Sequence, residues 1–243
     1  MLICHLAEPC NGRLALITGH FAHSENVTRQ PTTTASPREN SPFRHAQFMI
    51  GATEVEQLQV PVGIEVAFAG RSNAGKSSAI NAITGRDRLA FVSKTPGRTQ
   101  QINVFRVGEA DCFLVDLPGY GYAKVAKTQR KHWDRVLSSY LQYRPTLAGL
   151  VLIMDVRHPL TEIDWQMLEW FAVSGRPVHI LLTKSDKLGT TERRRILEAV
   201  NGELGGAPIP VSVQLFSSVD GTGLTEAQAL LLRWLGMMEP VAE

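Results

Sequence analysis

Lys76 and Ser77 close the run Gly70, Arg71, Ser72, Asn73, Ala74, Gly75 in "EVAFAGRSNAGKSS". The spacing G-x-x-x-x-G-K-S is that of a phosphate-binding loop. In such a loop backbone N–H groups and a helix N-terminus surround phosphate oxygens, while a lysine ammonium neutralises β/γ charge and a serine hydroxyl can ligate magnesium. A Gly-rich turn looks the same in isolation. Here an apolar run precedes it and a helical pattern follows, which is the setting the chemistry needs.

Further along, the apolar run "FLVD" ends on Asp116, followed by Leu117, Pro118 and Gly119. An acid at that position can hold magnesium through water, and Gly119 can donate its N–H to a γ-phosphate and swing when that phosphate leaves. The run "LLTKSD" supplies Thr183, Lys184, Ser185 and Asp186. A carboxylate at Asp186 can accept both the ring N1–H and the exocyclic amine of guanine, with the Lys184 stem laid over the base. Adenine has no such donor pair, and sites built around a substrate's hydrogen-bonding groups reject analogues by roughly 10⁴–10⁵. Phe216, Ser217 and Ser218 in "FSSVDGTGL" complete a base pocket, the Ser218 N–H meeting the guanine carbonyl. In "SKTPGRTQQ" either Thr95 or Thr99 can complete a magnesium shell, with Gly97, Arg98, Gln100 and Gln101 as neighbouring nucleotide contacts.

These groups must be brought to one place. The chain from about residue 46 alternates apolar strand-like runs ("IEVAFAG", "QINVFRV", "DCFLVD", "GLVLIMDV", "PVHILLT", "VSVQLFSS") with amphipathic stretches over about 75–84, 127–143, 161–174, 190–204 and 223–236. This predicts a three-layer α/β domain, a mostly parallel six-stranded sheet with helices on both faces. In such sheets ligands bind beyond the carboxyl ends of the strands, and every motif above follows a strand.

The 243 residues, 44% hydrophobic and 20% charged, suit one good-sized domain with extras, and no apolar run is long enough to span a bilayer. No membrane insertion is expected. Cys4, Cys10 and Cys112 form neither a disulfide framework nor a metal-ligand spacing, which fits a reducing cytoplasm, with Cys112 a small core residue. Residues 1–45, rich in Pro, Thr, Ser and Asn toward their end, read as a disordered arm without a secretory leader. An upstream start chosen too early is the alternative, with Met49 the working start. The net charge of +2 hides a local concentration: "YGYAKVAKTQRKHWDR", residues 120–135, carries five Lys/Arg and one Asp. Such charges, with Tyr122 and Trp133 interleaved, usually form a solvated helix face; their place immediately after Gly119 favours contact with RNA phosphates, exposed according to the nucleotide. His132 and His158 read as solvent or packing residues, since no second ligand stands at metal spacing.

From residue 46 to 236 the chain resembles the bacterial EngB (YihA/YsxC) family of GTP-binding proteins, in the TrmE–Era–EngA–EngB–septin-like class. "EVAFAGRSNAGKSS", "SKTPGRTQ", "LVDLPGYGYA", "MDVRHPL" and "LLTKSDK" carry the resemblance. It implies a Ras-like G domain, a GTPase producing GDP and phosphate with Mg2+, and Thr99 as a magnesium ligand beside Ser77. It further implies a switch acting on the large ribosomal subunit precursor and its rRNA, with loss linked to defective septation, the protein acting as a monomer. A nucleotide-stabilised cell-division scaffold is the alternative. Ras-like GTPases orient the attacking water with a glutamine where this chain has Tyr120, so slow intrinsic turnover is expected, with Lys76, Thr99 and Asn73 as the catalytic set. A neutral phenol is a poor base, and Tyr120 reads as a packing residue. Asn73 occupies the position where potassium-dependent members of the class coordinate K+; shaping the turn is the other reading of that residue.

Overall fold

The computed structural model describes residues 41–58, 63–90, 101–121, 127–207 and 209–238, without the side chains of 127–130. Its strands are β1 (Gln47–Ala52), β2 (Ile64–Gly70), β3 (Ile102–Arg106), β4 (Cys112–Asp116), β5 (Leu147–Asp155), β6 (Val178–Thr183) and β7 (Val211–Leu215). The helices are α1 (Lys76–Thr84), α2 (Lys127–Tyr143), α3 (Glu162–Ala172), α4 (Thr190–Leu204) and α5 (Leu224–Trp234). One sheet runs in the order β1-β3-β4-β2-β5-β6-β7, with β1 and β3 antiparallel to their neighbours and the remaining pairs parallel.

The two-residue period of β2 divides the core. Val66 and Phe68 face one apolar cluster with Ile80 and Ile83 of α1 and Leu231 of α5; Ala67 and Ala69 face the other, with α2, α3 and α4. On α2 the residues Trp133, Val136, Leu137, Tyr140 and Leu141 are all buried, a helical stripe that leaves Lys131 and Arg135 exposed. Trp133, interleaved with the charges of the basic stretch, is therefore a core residue and not part of a solvated face, while Tyr122 lies outside the described residues. The indole is the largest apolar group on that face, and burying it outweighs any surface use. Cys112 is buried, its Sγ 3.4 Å from the Leu235 carbonyl oxygen.

At the lower end of the sheet the buried Glu65 carboxylate accepts from Tyr140 Oη at 2.6 Å, Arg144 Nη2 at 2.6 Å and Thr146 Oγ1 at 2.8 Å. Three donors on one buried carboxylate fix the end of α2 to the start of β2 and so orient the helix that follows the D-x-x-G turn.

Two expectations at the N-terminal side change. The sheet has seven strands, not six, because Gln47–Ala52 adds an antiparallel edge strand to β3. Its first four residues are exposed, so the segment lacks the apolar alternation by which a strand is read from sequence. The segment 41–45, assigned to the arm, is part of the domain: Pro42–His45 forms a 3-10 turn with Phe43 fully buried in the cluster beneath α1. Met49 lies inside β1, so a chain starting there would lose Phe43 and the strand's first two residues. Residues 1–40, with Cys4 and Cys10, lie outside the described residues.

Candidate functional site

Parallel pairing of β4, β2, β5, β6 and β7 brings their carboxyl ends to one edge. That edge gathers the phosphate-loop residues Gly70–Ser77, Asp116–Gly119, Thr183–Asp186 and Phe216–Ser218.

The loop between β2 and α1 is shaped by backbone conformations that most side chains resist. A Cβ at Gly70 would come 2.8 Å from the Ile153 carbonyl oxygen, and Gly75 caps α1 at φ 103°. Asn73 is also left-handed, at φ 64°, a conformation Asn tolerates better than most residues. Lys76 begins α1, and its Nζ lies on Asp116 Oδ1, both side chains nearly buried. Ser77 follows, half-buried at the helix start.

The loop is tied to the far side of the site. Thr183 Oγ1, buried at the end of β6, donates to the Ala74 carbonyl and lies 3.0 Å from the Met154 carbonyl. Lys184, left-handed at φ 58°, sends its Nζ to the Asn73 carbonyl at 2.6 Å and to Asp155 Oδ2 at 3.0 Å. Asp155 ends β5 and is also held by Arg157, with Nε at 2.9 Å and Nη2 at 2.6 Å. Burial alone would raise the Asp155 pKa, but the hydrogen bonds from Arg157 and Lys184 outweigh it and hold this carboxyl well below the usual range.

Asp186 lies one turn on. Its Oδ1 accepts from Ser217 Oγ at 2.9 Å and its Oδ2 is 3.1 Å from Lys187 Nζ. Burial works against ionisation here too, but the Ser217 and Lys187 hydrogen bonds lower the pKa, so the group is a carboxylate at neutral pH. Ser185 is buried, its N–H donating to the Phe216 carbonyl at 3.2 Å. Gly75, Thr183, Lys184, Asp186, Phe216 and Ser218 border a cavity of about 80 Å³. Its chemistry suits a planar base with a donor pair on one edge: a carboxylate at the rim and a lysine stem beside it.

After Asp116 the chain runs back along the loop, and Tyr120 is buried with its hydroxyl donating to Asp164 Oδ1 at 2.9 Å. Burial, then the Asp164 charge, pushes the Tyr120 phenol well above its ordinary value. It stays neutral, in keeping with a packing role rather than that of a base. Gln101 departs from the expected set: its side chain lies against Gly51 of β1, where a Cβ would meet Oε1 at 2.8 Å. Thr95, Gly97, Arg98, Thr99 and Gln100 lie outside the described residues. His158 is exposed, while His132 is half-buried, 3.5 Å from Glu54 Oε1. Among the described residues no group of three or more His, Cys, Asp or Glu side chains is placed to hold a metal, and no helix is long and apolar enough to cross a membrane.

Sequence reasoning missed Asp155 and Asp164. The signal for Asp155 was the one that singled out Asp116, an acid ending an apolar strand. Asp164 was legible as the acid of a capping box, Thr161-Glu-Ile-Asp164, but not as the partner of Tyr120.

A family model described as "50S ribosome-binding GTPase" matches residues 65–184. The chain is 56% identical over 193 residues to the probable GTP-binding protein EngB of Methylobacillus flagellatus, covering 79% of this chain and 93% of that protein. Among solved structures, a probable GTP-binding protein EngB superposes with TM-score 0.57 at 18% identity, over 72% of this chain and all of the other. An Aquifex aeolicus Era variant bound to GDP and aluminium fluoride gives 0.59 at 20% identity, over 74% and 59%. At those identities the superpositions speak for the fold alone.

Proposed function

Because this chain belongs to the EngB family of GTP-binding proteins and is a GTPase, we propose that it uses GTP as a switch in assembly of the large ribosomal subunit, and through that supports cell division and septation. The observation that carries the partner is the basic face of α2. Lys131 and Arg135 are exposed one turn apart on the helix that follows Gly119, the residue that in this reading responds to a γ-phosphate. The family model's description, naming 50S ribosome binding, supports the same reading.

In this reading Lys76, beside Asp116, neutralises the β and γ phosphates while the amides at the start of α1 receive their oxygens. Magnesium fits the donor set. The Ser77 and Thr99 hydroxyls would hold it, with the Asp116 carboxylate supporting it electrostatically. The ion would neutralise charge developing between the β and γ phosphates. Asp186 accepts from guanine, and Lys184, held by Asp155 and the Asn73 carbonyl, lies over the ring.

Replacing Lys131 and Arg135 by Glu together should weaken association with large-subunit particles and flatten its salt dependence. Each phosphate that is no longer neutralised lowers the slope of log K against log salt by roughly 0.7–0.9. GTP affinity should not change. Co-sedimentation equal to the parent's at every salt concentration would make this a solvated face and remove the support for the ribosomal partner.

Asn73 has a structural reason of its own, its left-handed backbone and the hydrogen bond its carbonyl accepts, which supports the loop-shaping role over K+ coordination. Exchange of potassium for sodium at constant ionic strength should leave hydrolysis unchanged. A rate that drops in sodium, with the difference abolished in Asn73→Ala, would place the cation there.

A further inference from the structure

The residue after Gly119 is held from three directions. Tyr120 N–H faces the Gly70 carbonyl at 3.4 Å, its carbonyl accepts from Ser72 N–H at 3.1 Å, and its hydroxyl donates to Asp164 Oδ1 at 2.9 Å. Asp164 is fully buried in the first turn of α3, where its Oδ2 accepts from Thr161 N–H at 3.0 Å and Thr161 Oγ1 at 2.7 Å. Arg71, second residue of the phosphate loop, turns away from the loop. Its Nε lies 3.4 Å from Asp164 Oδ2, near enough to pair charges but angled too far for a hydrogen bond, and its Nη2 donates to the His158 carbonyl at 2.9 Å.

One buried carboxylate thus touches the phosphate loop, the D-x-x-G turn and the start of α3. A capping box needs only one of its oxygens. Filling the space beside it needs only a ring. The additional hydroxyl, matched to the second oxygen, fixes where the chain stands one residue beyond Gly119.

Resting on the GTP site proposed above, we infer that Tyr120 and Asp164 are positioning residues for γ-phosphate recognition, holding the Gly119 N–H at a set place relative to the phosphate loop. An amide already fixed gives up less conformational freedom on meeting its ligand, so the anchor strengthens the interaction it positions. GDP lacks the group that Gly119 would meet. The anchor should therefore bear on triphosphate and not on diphosphate.

Tyr120→Phe keeps the ring and deletes the donor; Asp164→Asn keeps the shape and removes the charge. Affinities for a non-hydrolysable GTP analogue and for GDP should be measured alongside melting temperatures. Loss of one positioning hydrogen bond should weaken the analogue about three- to tenfold in Tyr120→Phe, with GDP affinity as in the parent. In the double variant the loss should fall short of the product of the two single losses, since the Tyr120–Asp164 contact counts in both, while Asp164→Asn also acts on Arg71 and Thr161. The ratio in Tyr120→Phe decides alone if Asp164→Asn does not fold. Equal weakening of both nucleotides, or an unchanged ratio, overturns the positioning role. A parent protein that binds neither nucleotide overturns the GTP site itself.

Discussion

Lys76→Ala should abolish tight binding of GTP while leaving a folded protein. The ammonium is the one side-chain cation that begins α1 beside the loop, and hydrogen bonds to charged groups contribute about 1.5–3 kcal/mol each. Two such bonds, to the β and γ phosphates, correspond to a loss of about 10²–10⁴ in affinity. Stability is affected as well. Lys76 is paired with Asp116, and removing one partner of a buried pair can cost about 3–5 kcal/mol of stability. The melting temperature should fall with the affinity, and circular dichroism at a temperature below the lowered transition separates the two effects. Wild-type GTP affinity in a folded Lys76→Ala protein would show that the loop does not hold the triphosphate.

Asp186→Asn should exchange one specificity for another. The carboxylate matches two donors on guanine, and the amide replaces one acceptor by a donor, which suits the carbonyl that xanthine carries instead of the exocyclic amine. By the usual range for sites built on hydrogen bonding, the ratio of GTP to XTP affinity should change by roughly 10⁴. The neighbourhood tolerates the change: Ser217 Oγ can still donate to the amide oxygen, and only the 3.1 Å ion pair with the exposed Lys187 disappears. Competition binding with both nucleotides reads the outcome, and unchanged selectivity would remove the basis for guanine recognition at this cavity.

The strand-loop-helix at Gly70–Ser77, the acids and turns after the strands, and hence the edge at which the candidate site lies, are legible in the residues alone. These are local matters. A G-x-x-x-x-G-K-S loop needs particular residues at consecutive positions, and near-continuous apolar strands dictate a sheet covered on both faces whatever the loops contain. Tertiary structure decided what each group is bonded to. Asp155 clamps Lys184, Thr183 ties β6 to Ala74, and Tyr120 reaches Asp164, pairings between residues far apart in the chain that no spacing announces. It also decided that Trp133 is core and that Phe43 and the edge strand Gln47–Ala52 belong to the domain. Periodicity reports which face of a segment is apolar, whereas an exposed edge strand is held by backbone hydrogen bonds to a neighbour, and a single buried ring by the cavity that receives it.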